Sequence, residues 1–219
     1  MSIRIPKQHP VMRKEPRQNR SRATVEAILR AGARVLSDAG WAGFTTNRVA
    51  DLAGVSIGAL YQYFPDKLSL VDAIRRRHIG DCLSVIREYK DAGLPPAQFA
   101  ETLVRAMIAT HSVYPGLHRV LLDEAPSSDD HRNPNSEFEI EYLGYYMQAI
   151  SSCRKRGPSA ADHTTSLIIS DAIDGVIHNA ARRNKLGDPV IQTELARLIR
   201  LYLEDTSDVS AANVPRAQG

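Results

Sequence analysis

Between Thr45 and Phe64 the sequence leaves room for two helices of about two turns each, and it dictates how they meet. Val49, Ala50, Leu52 and Ala53 recur at helical spacing after Thr45, which opens the first of them. Gly54 stops that helix, because glycine takes a left-handed backbone conformation that costs other residues. Ser56 caps the second helix, which runs to Phe64. Ala53 is small enough for the two to cross closely, and Val55 and Leu60 point inward. The second helix is then held outward with its N-terminal residues free to enter a major groove, the helix-turn-helix arrangement.

The rest of the chain extends the same pattern. Residues 1–20 carry three prolines, six Lys/Arg and no helical period, and predict a disordered basic arm. Ser21 is placed to cap a helix with Val25, Ile28, Leu29, Ala33 and Leu36 on one face, ended near residue 39 by Gly40. Pro65-Asp66 breaks the chain, and Asp66 caps a long helix over about residues 67–90. Further helices are predicted at 96–112, 117–124, 136–155, 159–184 and 189–204, with a loop at 125–135. No segment alternates with period two and no repeat is present, so the fold class is all-α. The predicted organisation is an arm at 1–20, a helix-turn-helix domain at 21–67, a helical bundle at 68–204 for ligand binding and dimerisation, and a disordered tail at 205–219.

Charge divides at the same place. Residues 1–67 hold 11 Lys+Arg against 5 Asp+Glu, whereas residues 68–219 hold 17 against 20. A basic third on a mildly acidic body points to a polyanion partner. The longest apolar run is four residues, Ala106 to Ala109, and no apolar region follows the N-terminus, so neither a membrane span nor a secretory signal is expected. Cys82 and Cys153 are too few for a disulfide framework, in keeping with a reducing cytoplasm.

Residues 22–70 resemble the DNA-binding domain of the tetracycline-repressor (TetR) family of transcriptional regulators. The resemblance rests on Ala27, Ile28, Ala31, Ala33, Gly40, Phe44, Thr45-Thr46 and Val49-Ala50, and above all on the run AGVSIGALYQYFPDKLSL over Ala53–Leu70. It implies a ligand-responsive regulator, most simply a repressor, that binds a palindromic double-stranded DNA operator as a homodimer and is released by a small-molecule effector. Thr46 falls at the family's phosphate-contacting hydroxyl, with Asn47 beside it. Ser56, Ile57, Gly58 and Ala59 open the recognition helix. Tyr61, Gln62 and Tyr63 match positions that reach phosphates or base edges, and Lys67 matches a phosphate-contacting lysine. Arg17, Arg20 and Arg22, with Arg13 and Lys14, supply backbone electrostatics. The recognition helix lacks Arg, Lys, Asp and Glu, which removes bidentate guanine readout. Gln62 toward adenine and Ile57 or Ala59 toward thymine methyls give a lean toward A·T pairs.

A reading helix this short makes a weak site, so two copies must pair to read two half-sites. Ile169, Ile173, Val176 and Ile177 on one of the last two helices, and Leu195, Leu198, Ile199 and Tyr202 on the other, are the predicted dimer face. Tyr142, Tyr145 and Tyr146, joined by Phe99, Met107, His111 and His178, form the predicted effector site.

Other chemistry is not expected. Gly54-Val55-Ser56-Ile57-Gly58 spells the G-x-S-x-G of a hydrolase nucleophile elbow with Ser56 as nucleophile, but that elbow needs a strand before the serine, and Asn47–Ala53 has helical spacing. His111 and His118 are separated by a break at Pro115-Gly116, and no His/Cys/carboxylate set has metal-ligand spacing, so neither a metal nor another cofactor is predicted.

Overall fold

The computed structural model describes residues 19–126 and 137–204. Its regular elements are all helical: α1 Asn19–Gly43, α2 Thr46–Ala53, α3 Ile57–Tyr63, α4 Lys67–Tyr89, α5 Pro96–Ser112, α6 Leu117–Arg119, α7 Glu137–Cys153, α8 Ala160–Arg182 and α9 Pro189–Glu204. α6 runs on into a π turn, Val120–Glu124, closed by Ala125 N–H donating to the Val120 carbonyl at 2.8 Å. Among the described residues no strand is present, and no helix is long and apolar enough to cross a membrane. The expected tail from 205, and the arm up to residue 18 with Arg13, Lys14 and Arg17, lie outside the described residues.

Two boundaries differ from expectation. Ser21 does not cap α1, because the helix already runs from Asn19 and takes in the last two residues assigned to the arm. Gly40 does break the helix, with φ 65° and ψ −176°, yet the chain recovers a further turn to Gly43. That turn has an external partner: Trp41 N–H donates to Glu124 Oε2 at 3.0 Å. Elsewhere the caps act as read. Thr45 Oγ1 accepts from Arg48 N–H, and Ser56 Oγ accepts from Ala59 N–H. Asp66 and Ser69 cap each other's backbone at the start of α4.

The apolar side chains gather into two cores. The first joins α1, α2, α3 and the start of α4 through Ile28, Leu36, Phe44, Val49, Leu60, Phe64, Leu70 and Ile74. It also includes Leu117, Val120 and Leu121, so the α6 segment belongs to the head's core although it lies far along the chain. The second core joins α5, α7, α8 and α9, with Cys82, Leu83, Val85 and Ile86 from the far half of α4 packed against it. α4 is therefore shared, and packing does not divide at residue 67, where the charge balance changes.

The α6 segment is fixed at both ends. Gly116 N–H donates to Ser37 Oγ at 3.1 Å, and a Cβ on Gly116 would stand 2.4 Å from the Ser37 carbonyl oxygen. At the other end the buried Arg75 guanidinium, paired with Asp72 at 2.5 Å, donates to the carbonyls of Leu121, Ala125 and Pro126. Gly116→Ala is expected to destabilise the protein by about 1–3 kcal/mol, since backbone and not a flexible side chain must yield. Urea unfolding monitored by Trp41 fluorescence measures this.

Candidate nucleic-acid interface and effector region

The reading face is built by burying one side of α3. Leu60 and Phe64 are fully enclosed, and Val55 and Tyr63 pack against the same core. Gly54 adopts φ 68°, ψ 32° and closes α2 by donating to the Ala50 and Asp51 carbonyls. A Cβ there would meet nothing within 4 Å, so the glycine is needed for its backbone angle and not for space. With the inner side fixed, Ile57, Gly58, Tyr61 and Gln62 are left exposed. Thr46 Oγ1 and the Tyr61 hydroxyl are 3.0 Å apart, which ties the start of α2 to the exposed side of α3. Asn47, Arg22 and Ser56 are exposed as well. The structure thus brings Thr46, Asn47, Ile57, Gly58, Tyr61 and Gln62 onto one small two-helix unit. Arg48, which the sequence reading passed over, is exposed beside Asn47, its guanidinium donating to the Gly43 carbonyl at 2.8 Å.

Three expected contacts are placed differently. Tyr63 is partly sequestered, because its ring fills the edge of the head core. Ala59 is half-buried, with its N–H committed to the Ser56 cap. Lys67 is folded onto Trp41, its Nζ 3.5 Å from the ring centroid and donating to the Trp41 carbonyl at 3.3 Å. A cation over an indole face explains why it does not extend into solvent. Arg17 lies outside the described residues, and Arg20 is described only as the first turn of α1. The strand that a hydrolase elbow needs does not precede Ser56: helix α2 does, and the Ser56 hydroxyl serves as a cap.

The predicted effector residues separate into two groups. Phe99, Met107, Tyr142 and Tyr146 are interior packing of the body core, with the two tyrosine hydroxyls 3.3 Å apart. Tyr145 is only partly buried against the same core, and its hydroxyl donates to Glu141 at 2.7 Å. His111 and His178 instead meet His78 and His118, a gathering the sequence reading missed. The break at Pro115-Gly116, taken as separating His111 from His118, reverses the chain and brings their ring centroids to 4.9 Å.

Of the predicted dimer face, Ile169, Ile173, Ile177, Leu195 and Ile199 are buried inside the protomer, where α8 and α9 close on α5 and α7. They are not available to a second chain. Val176 and Tyr202 are partly buried, and Leu198 is 48% exposed, with Ile168 44%, Val190 66% and Leu201 49%.

Burial first, and then the neighbouring rings, hold the histidines neutral: His78 is lowered to about 3 and His178 to about 4. His118 is lowered well below the usual range, and burial lowers His111 against the Met107 carbonyl. Unfolding restores each to about 6.5, so below that pH the unfolded chain binds more protons and is favoured. Asp174, raised to about 7 by burial and then by Asp171 and Glu139, acts in the opposite sense above about pH 4. Four groups outweigh one. The urea midpoint is expected to fall as pH drops from about 6.5 to 5, and a flat profile would show that the cluster is not held neutral.

Two family descriptions match the chain: bacterial regulatory proteins of the tetR family over residues 28–74, and the tetracyclin repressor-like C-terminal domain over residues 95–203. The HTH-type transcriptional repressor KstR2 of Rhodococcus jostii is 34% identical over 141 residues, covering 62% of this chain and 67% of that protein. The tetracycline repressor protein class C of Escherichia coli is 43% identical over 49 residues, 22% of each chain. Among solved structures, a TetR-family regulator from Streptomyces coelicolor superposes with TM-score 0.59 at 23% identity, over 82% of this chain and 97% of that one. The fatty acid degradation regulator FadR from Bacillus halodurans gives 0.62 at 18% identity, over 82% and 98%.

Proposed function

Since the chain belongs to the tetR family of bacterial regulatory proteins, and is a DNA-binding transcriptional regulator, we propose that it represses by holding a palindromic operator as a homodimer and leaves it when a small molecule binds. The observation that carries the reading is the exposed side of α3, where Ile57, Gly58, Tyr61 and Gln62 stand clear of a core fixed by Leu60 and Phe64. Repression follows the name of the Rhodococcus relative. Membership of a family of bacterial DNA-binding regulators supports a cytoplasmic location. Thr46, Asn47, Ser56, Arg22, Arg48 and the basic arm position the unit on phosphate, and Lys67 joins them on release from Trp41. Readout is left to uncharged side chains, and Gln62 is the residue with the donor–acceptor pair that adenine requires.

DNA selected by the pure protein from random oligonucleotides defines the operator. Gln62→Ala is expected to weaken binding to it by about 1–3 kcal/mol and to relax preference at a single base pair. Equal loss on all sequences, measured by fluorescence anisotropy, would assign Gln62 to phosphate instead.

For the pairing of subunits, Leu198 is the exposed member of the face predicted from sequence, beside the partly buried Val176 and Tyr202, and Ile168, Val190 and Leu201 replace the buried residues. Their exposure on the last two helices supports a four-helix interface between copies. Leu198→Asp with Leu201→Asp is expected to convert dimer to monomer in sedimentation equilibrium and to abolish tight operator binding. An unchanged dimer would move the interface elsewhere.

A further inference from the structure

His78 on α4, His111 on α5, His118 on α6 and His178 on α8 converge between the head core and the body core. Their ring centroids are 3.6 Å apart for His118 and His178, 4.9 Å for His78 and His118, 5.2 Å for His78 and His111, and 6.1 Å for His111 and His178. His111 Nδ1 lies 2.8 Å from the Met107 carbonyl. A carbonyl only accepts, so Nδ1 carries the proton and Nε2 keeps its lone pair. His118 Nδ1 lies 2.7 Å from His78 Nε2; with Nδ1 donating, His118 Nε2 is also a lone pair. The Nε2 atoms of His111, His118 and His178 are buried and have no hydrogen-bond partner. These are the same three residues whose ligand nitrogens all lie within 4.8 Å of one another. Leaving three buried nitrogens unsatisfied is costly, and one cation would satisfy all of them.

We propose that His111, His118 and His178 bind a divalent transition-metal ion through their imidazole nitrogens, with His78 as the positioning residue for His118. Three neutral imidazoles suit Zn²⁺ and its neighbours in the first row. The set offers no oxygen donor, so Mg²⁺ and Ca²⁺ are poorly matched. Zinc needs ligand nitrogens about 3.4 Å apart, so the rings close by roughly an ångström as the ion enters. A cleft of about 230 Å³, lined by Asp81, Thr110, Tyr114 and Leu117 among others, reaches His78 at the edge of the cluster. Cys82 forms a second grouping with His78 and His111, but His78 Nε2 is already engaged with His118.

The ion would act on DNA binding through α6, a step that rests on the regulator reading above. His118 is flanked by Leu117, which is buried in the head core, and the same segment holds α1 through Gly116–Ser37 and Glu124–Trp41. Drawing His118 toward His111 and His178 therefore draws on α1.

Metal-stripped full-length protein titrated with Co²⁺ is expected to take up one ion per chain, with the visible absorption of tetrahedral nitrogen ligation, and to lose that absorption to Zn²⁺. His118→Gln and His178→Gln should each weaken uptake roughly a hundredfold or more, while His163→Gln, at an exposed histidine, should not. His78→Leu should weaken it roughly 10–100-fold, and His78→Gln, whose amide oxygen accepts the same hydrogen bond, should restore it. X-ray absorption of the zinc-loaded wild type should show imidazole nitrogens and no sulfur, a readout that needs no variant to fold. No uptake, sulfur in the coordination shell, or uptake unchanged in folded His118→Gln and His178→Gln would overturn the site. Operator affinity is expected to shift roughly tenfold with Zn²⁺. Affinity unchanged while the ion is bound would overturn the coupling. Failure to bind any DNA would instead count against the regulator reading, since the metal titration needs none.

Discussion

The buried Arg75–Asp72 pair on α4 is the interaction on which the arrangement of head and body depends. Both side chains are almost wholly enclosed, at 5% and 2% exposure, and the guanidinium also donates to three carbonyls at the end of the α6 segment. If the segment peeled away, the guanidinium would keep Asp72 but lose these three carbonyl acceptors. With Gly116–Ser37 and Trp41–Glu124, this guanidinium holds residues near 120 in a core otherwise made by residues 25–74.

That dependence shapes both functions. The proposed reading helix is short and its exposed side chains are uncharged, so net attraction to DNA must come from its flanks, and Lys67 is held on Trp41. Small displacements of α1 or α4 matter to such a reader, because few contacts share the work. The α6 segment touches α1 by Gly116, Glu124 and Leu117, and faces the body by His118. Whatever occupies the seam is thus within one short segment of the DNA-reading head.

Local features were legible wherever neighbouring residues alone set the outcome. The caps at Thr45, Ser56 and Asp66, the left-handed turn at Gly54 and the helical order from α2 to α9 follow from side chains acting on backbone a few residues away. Residues chosen by helical stripe were less secure. Tyr142 and Tyr146 on α7 do come together with Phe99 and Met107 on α5, but as core packing. Ile169, Ile173, Ile177, Leu195 and Ile199 likewise satisfy the protomer before any partner arrives. A stripe tells which side is apolar and not what covers it.

By itself the sequence determined an all-α chain with an outward α3, since glycine, proline and capping side chains fix where helices stop and start within a few residues. Tertiary structure decided which apolar faces were spent internally, that Leu117–Leu121 joins the head, and that four histidines from four helices share one buried seam. Those outcomes depend on contacts between residues up to a hundred positions apart, and periodicity along the chain carries no record of which helix packs on which.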